Sequence, residues 1–290
     1  YAKPVGSAEC RMAFLQTALD DPTAAPCGRC DVCAGPWYST DVPAAAAEAA
    51  SAALDRPGVQ LAPRAQWPTG ADRLGVEVKG KIAAGDQVEA GRAVARLTDL
   101  GWGQRLRTLL GDDGVGGVAT LAEDLEAPSI EEDPDAALDV THRVIRPGLP
   151  SDAPPDDELL RACAGVLGSW DWAQRPAAVV AMPSRRRPAL ISGVAEGLAR
   201  LGRLPYLGHL DLVAGGPTGQ PGGNSAFRLA GVWGRIAVGE ELRSRLAAVD
   251  GPVLLVDDLA DSRWTVTVAG RELRRAGARA VLPFVLALTA

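Results

Sequence analysis

Four of the five cysteines lie near the N-terminus and are spaced like metal ligands. They are Cys10, Cys27, Cys30 and Cys33, and the last three follow one another at intervals of three residues. Thiolates at this spacing can converge on one zinc ion, with Cys10 as the fourth ligand of a tetrahedral site. Gly28 suits the tight turn between ligands. A pair of disulfides and an iron–sulfur cluster are the alternatives.

A short helix is predicted to carry the first of these ligands. The segment Ala8–Leu19 has the apolar spacing of an amphipathic helix. It should end near Asp21, because Pro22 disfavours the α conformation in the residue before it. The metal would then join a helix to the turn that carries the other three cysteines.

The residues around the cysteines resemble a known segment. The runs 10–12 (Cys-Arg-Met) and 27–33 (Cys-Gly-Arg-Cys-Asp-Val-Cys) are similar to the zinc-binding segment that follows the motor of RecQ-family DNA helicases. The resemblance covers residues 1–37 and implies a structural metal that stabilises the helicase and supports DNA binding. It also implies a helicase motor N-terminal to Tyr1 as the partner of this chain.

A phosphate-binding loop for such a motor is not predicted within the chain. The segment Gly75–Lys81 fits the letters of that loop, but Ile82 follows the lysine and has no hydroxyl to hold magnesium. The alternation in residues 76–79 is typical of a half-buried strand instead, and we expect a strand-like piece over Leu74–Ile82.

A second group of chemically useful residues follows an apolar run near the C-terminus. Asp257 and Asp258 come directly after Val253–Val256. Predicted helices at 156–169, 188–201 and 264–276 alternate here with predicted strands at 177–182, 253–256 and 280–286. This alternation indicates an α/β fold with a parallel sheet, in which ligands bind at the carboxyl ends of the strands.

The run 253–265 resembles the signature of type I phosphoribosyltransferases. The resemblance implies that Asp257 and Asp258 hold ribose hydroxyls or magnesium, and that Ser262 and Thr265 hold the 5-phosphate of phosphoribosyl pyrophosphate. Two residues depart from the signature: Asp261 puts a negative charge beside the phosphate, and Arg263 replaces a glycine but adds a cation. An interaction module that keeps only the fold is the alternative.

Two upstream segments complete this resemblance. Ser184, Arg185 and Arg186, with Arg187, look like the pyrophosphate loop, and the Gly-rich span Gly215–Asn224 falls where the family has a mobile loop. We expect His142 and His209, the only histidines, to have surface or packing roles. Cys163 is expected in the core, and Trp170 and Trp172 are expected to pack.

The chain is predicted to be α/β overall and to have four parts. These are a zinc-binding segment at 1–37, an Ala-rich linker at 38–53 that is either a helical spacer or flexible, a small α+β domain at 54–149 and a phosphoribosyltransferase-like domain at 150–290. The helix Trp102–Leu110 belongs to the third part, for which a winged-helix-like fold is one interpretation.

Composition limits the function classes. Thirty Lys and Arg against 36 Asp and Glu give a net charge of −6 over 290 residues, so contact with DNA should be local and weak. No membrane span or signal peptide is predicted, which favours the cytoplasm. We therefore predict an accessory region of a RecQ-like ATP-dependent DNA helicase acting in DNA repair. The alternative is a phosphoribosyltransferase or phosphoribosyl pyrophosphate sensor with the zinc segment as scaffold.

Overall fold

The structure, a computed structural model, describes residues 9–36, 41–54, 57–111, 152–217 and 223–289. The chain divides into two compact units, unit 1 (Tyr1–Ala53) and unit 2 (Leu54–Ala290). No helix in the described ranges is both long and apolar enough to cross a membrane.

Unit 1 positions its cysteines with two short helices. α1 (Arg11–Ala18) begins directly after Cys10, and α2 (Asp31–Ala34) begins directly after Cys30. α1 is thus shorter than the predicted helix, and the chain leaves it at Asp20, whose φ is 55°. The Ala-rich segment forms α3 (Ala44–Leu54), the helical one of its two interpretations, because alanine has the highest helix propensity.

Unit 2 is built around a six-stranded sheet and is mixed α/β, as the alternation predicted. In spatial order the strands are β1 (Val59–Leu61), β2 (Gly91–Arg96), β8 (Val281–Leu288), β7 (Val253–Ala260), β3 (Ala178–Ala181) and β4 (Tyr206–His209). β1 is antiparallel to β2, and the other pairs of neighbours are parallel. Every residue of β3 and β8 is buried, as expected for parallel strands covered on both faces.

Helices cover both faces of this sheet. They are α4 (Trp102–Leu110), α5 (Asp157–Gly168), α6 (Pro188–Gly202), α7 (Ser225–Ala230), α8 (Glu240–Ala247) and α9 (Trp264–Arg275). Buried apolar residues of α4, α5 and α6 belong to one core cluster, and most of those of α7, α8 and α9 belong to another. A small ribbon of β5 (Asp211–Leu212) and β6 (Ile236–Ala237) stands apart from the main sheet.

The C-terminal elements lie close to their predicted positions. The predicted helix at 156–169 is α5, and Asp156 caps it by accepting a hydrogen bond from the Leu159 N–H at 2.7 Å. The main difference is the strand predicted at 253–256, which continues as β7 to Ala260. It continues because β8 pairs with it as far as Leu288.

Residues 57–111 contribute strands to the same sheet as the C-terminal segment, which differs from the predicted separate domain at 54–149. The reason is the pairing of β2 with β8, in which Arg92 lies opposite Phe284 and Arg96 opposite Leu288. One unit therefore contains both segments.

Aromatic packing reinforces this arrangement. The indole of Trp67 stacks on that of Trp264, with ring centroids 5.9 Å apart and planes 14° apart. Trp264 opens α9 and is buried. Residues 112–149, with the acidic stretch 123–139 and His142, lie outside the described residues, so the winged-helix interpretation stays a prediction.

The strand-like piece expected over Leu74–Ile82 is not a regular strand. Ala71–Leu74 forms a 3₁₀ turn, and Gly75 and Gly80 adopt φ values of 81° and 71°. Lys81 makes an isolated bridge to Gln66. This segment also lacks the strand and helix that would flank a phosphate-binding loop.

Candidate metal centre and strand-end site

The four N-terminal cysteines form one cluster in unit 1. The Sγ atoms of Cys10, Cys27, Cys30 and Cys33 all lie within 4.8 Å of one another, and those of Cys10 and Cys30 are 3.9 Å apart. A zinc ion bound by four sulfurs at about 2.3 Å in a tetrahedron separates them by about 3.8 Å. All five cysteines are free, so the disulfide alternative is not what the structure contains. The donor set fits a metal ion such as zinc.

Backbone N–H groups favour the thiolate form of Cys10 and Cys30, whereas hydrogen bonds to these two sulfurs raise the pKa of the Cys33 thiol to about 11. N–H groups of Ala13 and Cys27 lower the pKa of the Cys10 thiol to about 6, and the Cys27 N–H lies 3.2 Å from the Cys10 Sγ. The Arg11 N–H lowers the pKa of the Cys30 thiol in the same way. Gly28 turns the chain between ligands with a φ of 67°, which favours glycine.

In unit 2, the two acids predicted at a strand end lie inside β7, as its fifth and sixth residues, just past the last residue that pairs with β3. Asp257 and Asp258 are part of β7, but β3 pairs with β7 only from Val253 to Val256. Asp257 is buried, and its Oδ1 accepts a hydrogen bond from the Asp258 N–H at 2.9 Å. Burial, and then the charge of Asp258, raise the pKa of the Asp257 carboxyl well above its usual value.

Asp258 forms a largely buried ion pair with an arginine of the loop before α6. The Arg187 Nη1 donates to the Asp258 Oδ2 at 2.6 Å, and the Arg187 Nη2 donates to the Leu110 carbonyl oxygen at 2.6 Å. The two side chains are 11% and 14% exposed. The structure therefore brings the predicted pyrophosphate loop and the acidic pair together through Arg187.

The rest of that loop is polar and open. Arg185 and Arg186 are exposed. The Ser184 Oγ accepts a hydrogen bond from the Arg187 N–H at 2.9 Å. The loop leads into α6, whose N–H groups at Ala189 and Leu190 donate to the Asp152 carboxylate at 2.8 and 3.0 Å.

The predicted phosphate loop after β7 is held by residues 62–64. Arg64 donates from Nε and Nη2 to the Ser262 carbonyl oxygen at 2.9 and 2.6 Å, and its guanidinium lies over the Trp264 ring. Arg263 donates to the Ala62 carbonyl oxygen at 3.0 Å. The Ser262 and Thr265 side chains belong to half-buried residues of this turn.

Asp261 is neutralised by a different cation from the expected one. Its partner is Arg228, not Arg263, and the Thr289 hydroxyl donates to its other oxygen at 2.8 Å. Arg263 takes the left-handed conformation with a φ of 67°, which a glycine would adopt without strain. A cleft of about 220 Å³ beside this turn is lined by both Asp261 and Arg263.

Cys163, Trp170 and Trp172 pack against other residues, and His209 is exposed. Cys163 is buried, and burial raises its pKa to about 12. Trp170 and Trp172 stack with ring centroids 4.0 Å apart, and the Trp172 Nε1 donates to the Leu167 carbonyl oxygen. His209 lies in β4. Residues 218–222 of the Gly-rich span lie outside the described residues.

Sequence reasoning missed the internal partners of the site, namely Arg64, Asp152, Arg228 and the ion-pairing role of Arg187. No local pattern marks them, because each acts on a residue far away in the chain. No protein-family model matches this chain, and a search of curated proteins found no similar sequence. The helicase and phosphoribosyltransferase resemblances therefore rest on the motifs alone.

Proposed function

We propose that this chain is an accessory region of a RecQ-like ATP-dependent DNA helicase, with a structural zinc ion in unit 1. The observation that carries the proposal is the convergence of four Sγ atoms within 4.8 Å, in the sequence context of the resemblance. Four thiolates complete the coordination of zinc and leave no open position for a substrate, so the metal has a structural role.

The chain contacts DNA mainly through the helicase of which it is a part. Its net charge is −6, so few of its cationic side chains can contact DNA phosphates at once. Few counterions would therefore be released on binding. The isolated chain should therefore bind DNA weakly and with a shallow dependence on salt. Nanomolar binding at physiological salt would contradict this part of the proposal.

Unit 2 serves in this proposal as a phosphoribosyltransferase-like interaction module without turnover. Ion pairs within unit 2 support this role. Asp258 and Asp261, which a ligand would contact, are both paired with arginines of the same unit. The second candidate function is binding of phosphoribosyl pyrophosphate with magnesium. The acidic pair in the carboxyl half of β7, followed by the turn and α9, favours it. Acids near the carboxyl ends of parallel strands suit ribose, and helix N-termini suit phosphate.

The reading frame upstream of Tyr1 provides the first test. The proposal expects it to encode a phosphate-binding loop with Lys and Ser or Thr, followed by an acidic box before a His. A frame without this motor would contradict the proposal.

The protein made from that frame provides the second test. Cys30→Ser should lose zinc and reduce ATP-dependent DNA unwinding together. Cys163→Ala, which removes the buried thiol of unit 2, should retain both zinc and unwinding. Unchanged unwinding after loss of zinc would contradict the proposed structural role.

A further inference from the structure

Arg187 forms an ion pair with Asp258, the carboxylate in unit 2 that a ribose or a magnesium ion would need. The geometry points to Arg187 as an internal closure of the strand-end site, which holds unit 2 in a ligand-free state. This inference rests on the phosphoribosyltransferase-like interpretation of unit 2 as the second candidate function. In this inference, charged side chains of unit 2 occupy the positions that the ribose and phosphate groups of a ligand would take.

The contacts of Arg187 connect three separate elements. Its guanidinium joins Asp258 of β7 to the last carbonyl of α4 at Leu110, while its backbone directly precedes α6. Both side chains of the ion pair are nearly buried. A ligand that takes the Oδ2 of Asp258 must therefore break a largely desolvated, charge-assisted hydrogen bond.

The N-terminus of α6 is occupied in a similar way. The Asp152 carboxylate accepts hydrogen bonds from two successive N–H groups, those of Ala189 and Leu190. Free N–H groups at the start of a helix form an anion site. A carboxylate of the same chain thus takes the place of a pyrophosphate oxygen beside Arg187.

The turn after β7 also carries a carboxylate that has a partner within unit 2. Asp261 brings a carboxylate to the predicted phosphate loop, and Arg228 neutralises it. Three charged positions of the site are therefore filled by side chains of unit 2, and Arg187 is the one that contacts the acidic pair directly.

Closure of this kind lowers affinity by a predictable route. A ligand that binds only the open form has an apparent Kd equal to its intrinsic Kd divided by the open fraction. If the pair is open about one time in a hundred, the apparent Kd is about a hundredfold higher. Removing the guanidinium should recover this loss.

The test is calorimetric titration with phosphoribosyl pyrophosphate and magnesium. Arg187→Gln removes the charge and keeps a polar side chain, and it should bind at least about tenfold more tightly than the unmodified chain. Arg200→Gln, which changes an exposed arginine of the same helix, should bind like the unmodified chain. The double variant Arg187→Gln/Asp258→Asn should lose the gain, because the acid that the closure protects is absent.

Two outcomes would overturn the closure. Equal binding by the unmodified chain and Arg187→Gln would mean that Arg187 does not obstruct the site. Absence of binding by both would mean that the acidic pair is not a ligand site even when it is released. Neither outcome affects the helicase proposal, which is tested by zinc content and unwinding.

A second variant covers the case in which Arg187→Gln does not fold. Arg187→Lys keeps the positive charge, but an ammonium cannot reproduce the planar fork that spans Asp258 and the Leu110 carbonyl. It should bind the same ligand more tightly than the unmodified chain, by a smaller factor. Unchanged affinity in this folded variant would also overturn the proposal.

Discussion

The guanidinium of Arg11 donates two parallel hydrogen bonds to the carboxylate of Asp31. The Nε–Oδ1 distance is 3.1 Å and the Nη2–Oδ2 distance is 2.8 Å. Arg11 follows the ligand Cys10 and Asp31 follows the ligand Cys30, so this fork joins the first turns of α1 and α2 beside the sulfurs. It lowers the pKa of the Asp31 carboxyl and keeps it charged.

Loss of this fork should weaken metal binding without removing a ligand. Arg11→Lys keeps the charge but replaces the planar fork with a point charge, and groups that orient metal ligands typically contribute about 10- to 100-fold in affinity. We expect a loss of this size in competition with a chromogenic chelator. Arg29→Lys is the matched control, since Arg29 is exposed and lies between two ligands. Equal affinities for both variants would show that the fork does not orient the site.

Asp257 should make unit 2 less stable as the pH rises. Its pKa is raised by burial and by Asp258, so the folded state keeps a proton that the unfolded state loses above about pH 4. The free energy of unfolding then falls with rising pH, by at most about 1.4 kcal/mol per pH unit.

Asp257→Asn removes this titration and keeps an acceptor for the Asp258 N–H. The stability of the variant relative to the unmodified chain should therefore increase between about pH 4 and pH 7, measured by urea unfolding. A difference that stays constant with pH would mean that the buried carboxyl of Asp257 is not protonated in the folded state.

The packing of α9 against Val88 leaves no room at Gly270. A Cβ there would lie 2.0 Å from the Val88 Cγ1, and Val88 is buried and stiff about χ1. Gly270→Ala should cost about 1–3 kcal/mol of unfolding free energy. Gly165→Ala on the exposed face of α5 meets nothing within 4 Å and should stabilise by about 0.5–1 kcal/mol. Urea unfolding midpoints of the two variants that shift in the same direction from that of the unmodified chain would contradict this prediction.

Local patterns were sufficient to predict the ligand cluster and most C-terminal elements. The cysteine spacing is a property of neighbouring residues, and the apolar run 253–256 belongs to a buried strand whatever its partners are. Helix signals were equally local, because Asp156 caps α5 from the adjacent position.

The contacts that fill the strand-end site could not be predicted in this way. Arg187 and Asp258 are 71 positions apart, and Arg64 and Ser262 are 198 apart. The pairing of β2 with β8 is similarly long-range, so nothing near residues 91–96 indicates that they complete a sheet begun elsewhere. Such contacts depend on the tertiary fold, and a motif read alone predicts an open site where the folded chain has internal ion pairs.

X-ray absorption at the zinc edge, combined with elemental analysis of the purified chain, tests the central claim most directly. We predict about one zinc per chain with four sulfur neighbours at about 2.3 Å. Cys30→Ser should release the metal and unfold chiefly unit 1, because binding of a structural metal is coupled to folding. A chain without metal, iron in place of zinc, or a zinc ion with mainly nitrogen or oxygen ligands would contradict the account.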